Sequence, residues 1–392
     1  MKITSIECIP LTLPGVGKWD GLRKGSLGNK TVLIKIHSDE GITGIAECGE
    51  TISASSVYCD SQDHHMAIIN ENFGPNILLG EDPRNIAKII GKMAKSAFSR
   101  QTIELIDFAL YDLVGKKLGV PAYQLLGGLC NEKINTHYVV SYDNVEEVTT
   151  RALGAVKAGY RCLKLKVARE ELEKDIANLD SIRKAVGPNI KIGIDGNGGW
   201  DYYSALVAIK ELEKYNIRFI EQPLPWWDID GMALLHRKIN VPLSADESAY
   251  QPQQVLQLIR REAVDFLFIK VPKAGGLHLA QQWVAIAQAA NLPVMCGCMV
   301  GTGIECAATA HLLAANEWMD KIDFGHGNNA PLHRHGVYDT VKPITNDLAK
   351  NVPRFEGGYL YPPTGLGLGV ELNEELAKEW ITPGKRPTLI KL

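Results

Sequence analysis

The feature that most constrains the fold of this chain is a regular alternation of segment types that begins near residue 133. Short apolar runs, each long enough for one strand, alternate there with amphipathic segments long enough for a helix. The apolar runs lie at 137–141, 162–167, 192–195, 219–221, 243–246, 266–270, 293–296 and 322–324. Alternating strands and helices predict parallel strands joined by right-handed crossovers. Eight such repeats favour a (β/α)8 barrel over an open sheet.

The segments outside this alternation have other patterns. Residues 1–50 contain strand-like runs separated by turns, residues 60–125 carry helical patterns, and residues 355–392 return to loops and short strands. Because 392 residues exceed what one core usually holds, we expect two domains or one large barrel with an appendage. We expect the last segment to return to the first.

The composition argues against several functional classes. A net charge of −3 gives no basic excess for binding nucleic acid or an anionic membrane surface. No stretch of about 18 apolar residues is present to span a membrane, and the first residues lack the apolar run of a signal peptide. The eight cysteines are scattered, which favours reduced thiols in a cytoplasmic protein.

Two lysines in the second apolar run do not fit a plain core. Lys164 and Lys166 alternate with Leu163, Leu165 and Val167. This period of two predicts a strand with apolar side chains on one face and both ammonium groups on the other. Lysine is seldom fully buried without a partner, so the strand predicts an anionic group where the lysines point.

Charged residues at the ends of the runs supply that partner. Spacings of 29, 26, 25 and 24 residues separate Lys166, Asp195, Glu221, Asp246 and Lys270, in this order. One βα unit fits each spacing, so these residues occupy equivalent places on consecutive strands. The C-terminal ends of barrel strands converge on one mouth, where active sites form. The sequence therefore predicts a ring of these five side chains at the mouth.

The three carboxylates in this ring predict a metal site. Neighbouring carboxylates repel each other unless a cation lies between them, and all-oxygen ligation by Asp195, Glu221 and Asp246 suits Mg²⁺ or Mn²⁺. The lack of Cys or His at these positions argues against zinc. The alternative is that the acids only form salt bridges with nearby lysines.

The lysines on either side of the carboxylates predict acid–base chemistry. A lysine that is shielded from water and close to a dication has its neutral form favoured and can act as a base. Lys166 and Lys270 would remove a proton next to a carboxylate from one face and return it on the other, while the metal stabilises the enolate. Lys164 would help to hold an anionic oxygen, and Asn197 would orient a ligand or donate to the substrate. The alternative for these last two is a surface charge and a turn residue.

The same residues carry a resemblance to a known family. The motifs are Lys164-Leu-Lys166, Asp195-Gly-Asn197, Glu221-Gln-Pro223, Ala245-Asp246-Glu247 and Ile269-Lys270. Together they resemble the enolase superfamily. Lysines on both the second and the sixth strand are similar to those of its muconate-lactonizing-enzyme subgroup, in the mandelate racemase/muconate lactonizing enzyme family.

This resemblance implies a role for each motif residue. It assigns the Mg²⁺ ligands to Asp195, Glu221 and Asp246, with Asp246 preferred over the adjacent Glu247. It assigns acid–base catalysis to the lysines at 166 and 270, and support of substrate carboxylate binding to the lysine at 164.

The resemblance also implies a fold and an assembly. It implies a (β/α)8 TIM-like barrel at 126–354 and an α+β capping domain formed by the N-terminal region, 1–125, and the C-terminal tail, 355–392. Loops at 15–29 and 50–58 would close over the barrel mouth. The resemblance further implies a homo-oligomer that acts on a small carboxylate substrate.

The substrate contacts are open at this point. Dipeptide epimerases of the subgroup tend to carry Asp-x-Asp on the eighth strand, whereas Lys321-Ile-Asp323 here replaces the first acid, which argues against a dipeptide. Asp323 either binds an ammonium group or faces away. Cys298 is expected to pack beside the substrate, and Trp19 and Tyr58 are candidate walls of its pocket.

The predicted enzyme is an isomerase, either a racemase or epimerase of an amino-acid-type substrate or a muconate-type cycloisomerase. A lyase is the alternative, in which the same enolate expels a β-hydroxyl group and the enzyme is a dehydratase. A third possibility is a barrel without activity, against which the complete set of lysines and carboxylates argues.

Overall fold

A computed structural model of the chain describes residues 1–13, 30–49, 60–97, 99–297, 301–322, 324–327 and 347–392. The strands are β1 (Ile3–Thr12), β2 (Lys30–Ser38), β3 (Thr43–Gly49), β4 (Ile134–Asn135), β5 (Tyr138–Val140), β6 (Cys162–Lys166), β7 (Lys191–Asp195), β8 (Ile217–Glu221), β9 (Leu243–Ala245), β10 (Phe266–Lys270), β11 (Val294–Gly297), β12 (Phe355–Glu356), β13 (Tyr359–Leu360) and β14 (Thr388–Lys391). The α-helices are α1 (Gln62–Ile68), α2 (Ile86–Ser96), α3 (Arg100–Leu118), α4 (Ala122–Leu125), α5 (Val145–Lys157), α6 (Leu172–Val186), α7 (Tyr202–Leu212), α8 (Ile229–His236), α9 (Pro252–Arg260), α10 (Val271–Ala274), α11 (Leu277–Ala289), α12 (Gly303–Ala314) and α13 (Glu374–Glu379). The predicted lid loops and the residues Trp19, Tyr58, Cys298 and Asp323 lie outside the described residues.

The N-terminal strands and the last strand form one antiparallel sheet in the order β14-β1-β2-β3. Strand β14 pairs with β1, so that Ser5 lies opposite Lys391. The C-terminal tail thus returns to the first sheet, although its strand β13 also pairs with β4 where the chain enters the barrel. The domain boundaries at 125/126 and 354/355 stay predictions.

Helix α3 lies between this sheet and the barrel. The sequence shows an apolar face on this helix, yet the structure buries every residue from 101 to 115. On one side α3 packs so closely on β3 that a Cβ atom at Gly44 would lie 2.1 Å from the carbonyl oxygen of Ala109. On the other side the Asp107 carboxylate accepts the backbone N–H of Leu277 at the start of α11. A helix enclosed on all sides has no solvent face, so polar groups along it need partners within the protein.

The barrel strands follow each other in chain order. Within the described residues they form a seven-stranded sheet in the order β11-β10-β9-β8-β7-β6-β5, and every recorded pairing in it is parallel. A short segment joins the two edges, since His326 bridges Thr136 before β5 and Gly327 bridges Gly297 at the end of β11. The backbone N–H of Gly327 donates to the Cys296 oxygen at 2.8 Å. Closure therefore occurs at 326–327, just beyond the predicted eighth run.

The interior of the barrel is filled with large apolar side chains. The inner cluster consists of Cys162, Phe219, Phe266, Phe268, Met295 and Phe324. Alternation along each strand points these residues to the same face as the charged residues at the strand ends. The charged mouth therefore rests on an apolar and largely aromatic floor. The predicted fold class, a TIM-like barrel with an α+β cap, is confirmed.

None of the helices in the described ranges has the length and apolar character needed to cross a membrane.

Candidate active site

The inward face of β6 carries the two lysines that the sequence singled out. Cys162, Lys164 and Lys166 alternate with leucines that belong to the core between the strands and the outer helices. Parallel register places Lys166 beside Asp195, and Asp195 beside Glu221. Neighbouring strands thus present these side chains next to each other at their C-terminal ends, as the repeat length predicts.

The lysines of β6 contact two of the predicted carboxylates. Lys164 Nζ lies 2.7 Å from Glu221 Oε2 and 3.4 Å from Asp195 Oδ2. The same ammonium lies 4.0 Å from the centre of the Phe268 ring, where a cation is attracted by the ring face. Lys166 Nζ lies 2.6 Å from Asp195 Oδ2. The lysine pair therefore has the anionic partner that the strand pattern predicts.

A second pair of lysines surrounds the third carboxylate. Lys270 Nζ, at the end of β10, lies 2.7 Å from Asp246 Oδ2. Lys273, which the sequence reasoning missed, lies 2.6 Å from Asp246 Oδ1. It follows Lys270 by three residues and belongs to the short helix α10. Residues three apart lie on the same side of a helix, so the Lys273 side chain points back toward the end of β10. The available signal was a lysine within an otherwise apolar and glycine-rich stretch, 271–276.

Asn197 joins Lys166 to a fourth carboxyl group. Its Oδ1 accepts from Lys166 Nζ at 2.8 Å and from an Arg169 amino group at 2.6 Å. Its Nδ2 donates to Glu247 Oε1 at 2.9 Å. Because lysine and arginine only donate hydrogen bonds, the amide oxygen faces Lys166 and Arg169, and the amide nitrogen is left to donate to Glu247. No local pattern in the sequence links Arg169 or Glu247 to the lysine.

The structure thus brings together seven predicted site residues, which are Lys164, Lys166, Asp195, Asn197, Glu221, Asp246 and Lys270. The other four predicted contacts, Trp19, Tyr58, Cys298 and Asp323, lie outside the described residues and stay predictions.

Comparison with protein families identifies both parts of the chain. Residues 24–127 match the N-terminal domain of mandelate racemase / muconate lactonizing enzyme, and residues 147–376 match the enolase C-terminal domain-like family. The chain belongs to the mandelate racemase/muconate lactonizing enzyme family of the enolase superfamily. The predicted resemblance is confirmed.

Relatives of this family member cover most or all of its length. A family protein of Azoarcus sp. EbN1 has a solved structure with a TM-score of 0.91 and 46% identity over 100% of both chains. The hydrophobic dipeptide epimerase of Enterococcus faecalis is 36% identical over 75% of this chain and 81% of its own length. The N-succinyl-L-Arg/Lys racemase of Bacillus cereus is 30% identical over 97% of this chain and 98% of its own.

The names carried by such relatives are epimerase, racemase and cycloisomerase, and all of them denote isomerases. The predicted enzyme class, isomerase, is confirmed.

Burial and the neighbouring lysines act in opposite directions on the carboxyl groups of this family member. Burial raises the pKa of Asp195 and of Asp246, but for each the two contacting lysines outweigh burial and hold the pKa below its ordinary value. Burial raises the pKa of Glu221 to about 8, assisted by the charge of Asp195, and that of Glu247 to about 7, assisted by the charge of Asp246. Burial also lowers the pKa of Lys166 although Asp195 opposes it. The charges of neighbouring lysines therefore favour the ionised form of two of the four carboxyl groups, Asp195 and Asp246.

The side chains of the site fit a divalent cation. No group of three acidic, histidine or cysteine side chains in the described ranges is arranged to hold a metal ion. Each of the three predicted carboxylates contacts a lysine instead. However, Glu221 Oε1 is buried and has no hydrogen-bond partner among the described residues. A buried carboxylate oxygen without a partner is unfavourable, and a cation would satisfy it. Enzymes of this family depend on a metal ion in general, and the all-oxygen donor set here suits Mg²⁺ or Mn²⁺.

Proposed function

We propose that this protein is a Mg²⁺-dependent racemase or epimerase that inverts the carbon next to the carboxylate of an amino-acid derivative. The observation that carries the proposal is the position of the two predicted bases. Lys166 ends β6 and Lys270 ends β10, the second and sixth of eight positions around the barrel. Positions four apart in a ring of eight face each other across the mouth. Two bases on opposite sides of one carbon suit removal of a proton from one face and its return on the other.

The carboxylate side chains lie between these bases. Asp195 contacts Lys166, and Asp246 contacts Lys270. The row of carboxylates from Asp195 to Asp246 therefore extends from one lysine to the other. Asp195, Glu221 and Asp246 would hold the Mg²⁺ ion. When bound, the ion would supply positive charge that stabilises negative charge developing on the substrate carboxylate.

Other residues of the chain would prepare the proton transfer. Lys164, held by Glu221 at 2.7 Å, would place a second positive charge against the substrate carboxylate. Asn197 would aim Lys166 at the substrate carbon through its 2.8 Å hydrogen bond. The apolar floor below Lys164 keeps water from one side of the site and strengthens these charge interactions.

Two observations favour an N-acylated amino acid as the substrate. Lys321, which stands where dipeptide epimerases of the subgroup tend to carry an acid, directs its ammonium to Glu317 at 3.1 Å on the surface. An acid that could bind a free substrate ammonium is therefore lacking at that position. The Bacillus cereus relative, which spans nearly the whole chain, is named as a racemase of an N-succinylated amino acid.

Proton exchange in D₂O tests the proposal. Purified enzyme with Mg²⁺ is incubated with N-acyl amino acids, proline derivatives, dipeptides and muconates, and deuterium at the α carbon is followed by NMR and mass spectrometry. We expect an N-acyl amino acid to exchange its α proton and to be inverted, with no change in mass apart from the added deuterium. Loss of water from a β-hydroxy acid would instead identify a dehydratase, and lactone formation from a muconate a cycloisomerase.

Single lysine variants test the two-base arrangement. Lys166→Ala should abolish exchange from one enantiomer, and Lys270→Ala should abolish exchange from the other. Lys174→Ala, which removes a partly exposed lysine in the helix after β6, should leave exchange from both enantiomers intact. If both site variants still exchange both enantiomers, the two-base mechanism is wrong.

A further inference from the structure

Gln222 follows one proposed metal ligand, Glu221, in the chain, and its side chain contacts the backbone of another, Asp246. It is fully buried. Its Oε1 accepts the backbone N–H of Asp246 and the backbone N–H of Ser248, each at 3.0 Å. Its Nε2 donates to the Leu224 oxygen and to Ser248 Oγ, each at 2.8 Å. The two donors and two lone pairs of the amide are therefore all used within one buried network.

The backbone of Gln222 is held in an unfavourable conformation. Its φ angle is +36°, in the region that favours glycine and is unfavourable for a residue with a side chain. Strain of this kind persists only where the surrounding contacts hold it in place, and it concentrates at functional sites. Glycine would remove the strain, but it would also remove all four hydrogen bonds of the amide.

These hydrogen bonds join the ends of two neighbouring barrel strands. Gln222 follows Glu221 at the end of β8, and Asp246 follows the last residue of β9. The backbone N–H of Gln222 also donates to the Ser244 oxygen at 2.9 Å, so main chain and side chain both cross from one strand to the next. Ser248 Oγ extends the network to the Trp226 oxygen at 2.9 Å. Strand β9 pairs with β8 at two positions, and the amide adds three hydrogen bonds to the segment that follows β9.

We propose that Gln222 is a positioning residue that fixes the distance between the carboxylates of Glu221 and Asp246 and thereby makes the site selective for a small divalent cation. The inference rests on the proposed metal site. Mg²⁺ requires near-octahedral oxygens at about 2.1 Å, whereas Ca²⁺ accepts longer distances and irregular geometry. A rigid connection between two ligand-bearing strands therefore favours Mg²⁺, and a loosened one discriminates less.

Gln222→Met tests this role, because methionine has a similar length and no hydrogen-bonding amide. Dissociation constants for Mg²⁺ and for Ca²⁺ are measured by titration calorimetry on the full chain. We expect the affinity for Mg²⁺ to fall by roughly 10- to 100-fold, the usual effect of removing a group that orients a metal ligand, and the affinity for Ca²⁺ to fall less. Hydrogen exchange of the peptide 245–250 should also become faster, since the N–H groups of Asp246 and Ser248 lose their acceptor. Gln222→Ala is measured in the same way if the methionine variant does not fold.

A matched control is available at the same end of the barrel. Gln254 accepts the backbone N–H of Tyr250 at 3.0 Å and contacts none of the site carboxylates. Gln254→Met should keep both metal affinities. Equal losses for Mg²⁺ and Ca²⁺ in the Gln222 variant, or no loss, would overturn the inference and leave the proposed function intact. A wild-type protein that binds neither ion would overturn the proposed metal site itself.

Discussion

Lys273 Nζ lies 2.6 Å from Asp246 Oδ1, and neither side chain is exposed to solvent. The same ammonium donates to the backbone oxygens of Asp246 and Phe268, at 2.5 Å and 2.9 Å. These three acceptors use all three N–H donors of a lysine. Lys273 therefore belongs to the framework that holds Asp246.

Lys273→Met should destabilise the protein by about 3–5 kcal/mol, because it breaks a buried ion pair and removes the donor to two buried backbone oxygens. Only Lys270 then remains to compensate the charge of Asp246. The measurement is the free energy of unfolding in urea at pH 7. Lys184→Met is the matched control. Lys184 lies 2.6 Å from a carboxylate oxygen of Asp180, the same distance as in the buried pair, but this pair is on the surface. It should leave the free energy of unfolding almost unchanged. Equal stability of the two variants would contradict the framework role.

Mg²⁺ should stabilise the folded protein through the three predicted carboxylates. A ligand at a hundred times its dissociation constant adds about 2.7 kcal/mol to the free energy of unfolding, so the unfolding temperature should rise as Mg²⁺ is added and fall again with a chelator. Asp195→Asn should abolish this response. Asp201→Asn, which changes an exposed helix cap in the loop after the same strand, should retain it. An unchanged Mg²⁺ response in Asp195→Asn would show that the metal assignment is wrong.

Asn197→Ala should slow α-proton exchange by roughly 10- to 100-fold, because Lys166 loses the hydrogen bond that aims it, and small misplacements of a catalytic group have effects of this size. The rate is followed by NMR in D₂O. Asn216→Ala controls for the backbone, since both asparagines have positive φ angles, +41° and +55°, and Asn216 lies at the opposite end of the barrel, before β8. If both variants slow exchange equally, the effect is one of backbone strain.

Asp107 should make stability depend on pH. Burial raises the pKa of its carboxyl from 3.8 to about 8, against the opposing backbone N–H groups of Leu277 and His278. Between these values the folded state retains a proton that the unfolded state has released. The free energy of unfolding is therefore highest below pH 4 as far as this group is concerned, and it declines as the pH rises toward 8.

Asp107→Asn should remove this decline. The unfolding temperature of the variant should therefore rise relative to that of the wild type between pH 5 and pH 8.5. Asp180→Asn, a surface change, should keep the wild-type slope. Parallel curves for wild type and Asp107→Asn would contradict the prediction.

Local patterns in the sequence were sufficient to predict the barrel and the order of its charged residues. Successive strands recur every 24–29 residues, so Lys166, Asp195 and Glu221 had to arrive at equivalent strand ends. Parallel register then places them side by side. Periodicity and spacing predict which residues lie at equivalent strand ends, because each βα unit repeats the same local geometry.

Other features arise from contacts between distant parts of the chain, which no local pattern records. The full burial of α3 depends on a sheet on one side and a barrel on the other. Closure of the barrel at 326–327 depends on the pairing of His326 with Thr136 and of Gly327 with Gly297, which lie far apart in the chain.

The sequence alone determined five of the charged residues at the mouth of the barrel, because their spacing follows from the repeat. They are Lys166, Asp195, Glu221, Asp246 and Lys270. Only the tertiary structure decided how these charges are paired and held. Lys273 on Asp246, Glu247 on Asn197 and Gln222 across two strand ends are contacts between separate units of the barrel. Which donor meets which acceptor depends on distances of a few tenths of an ångström, and these are set by packing of the whole chain.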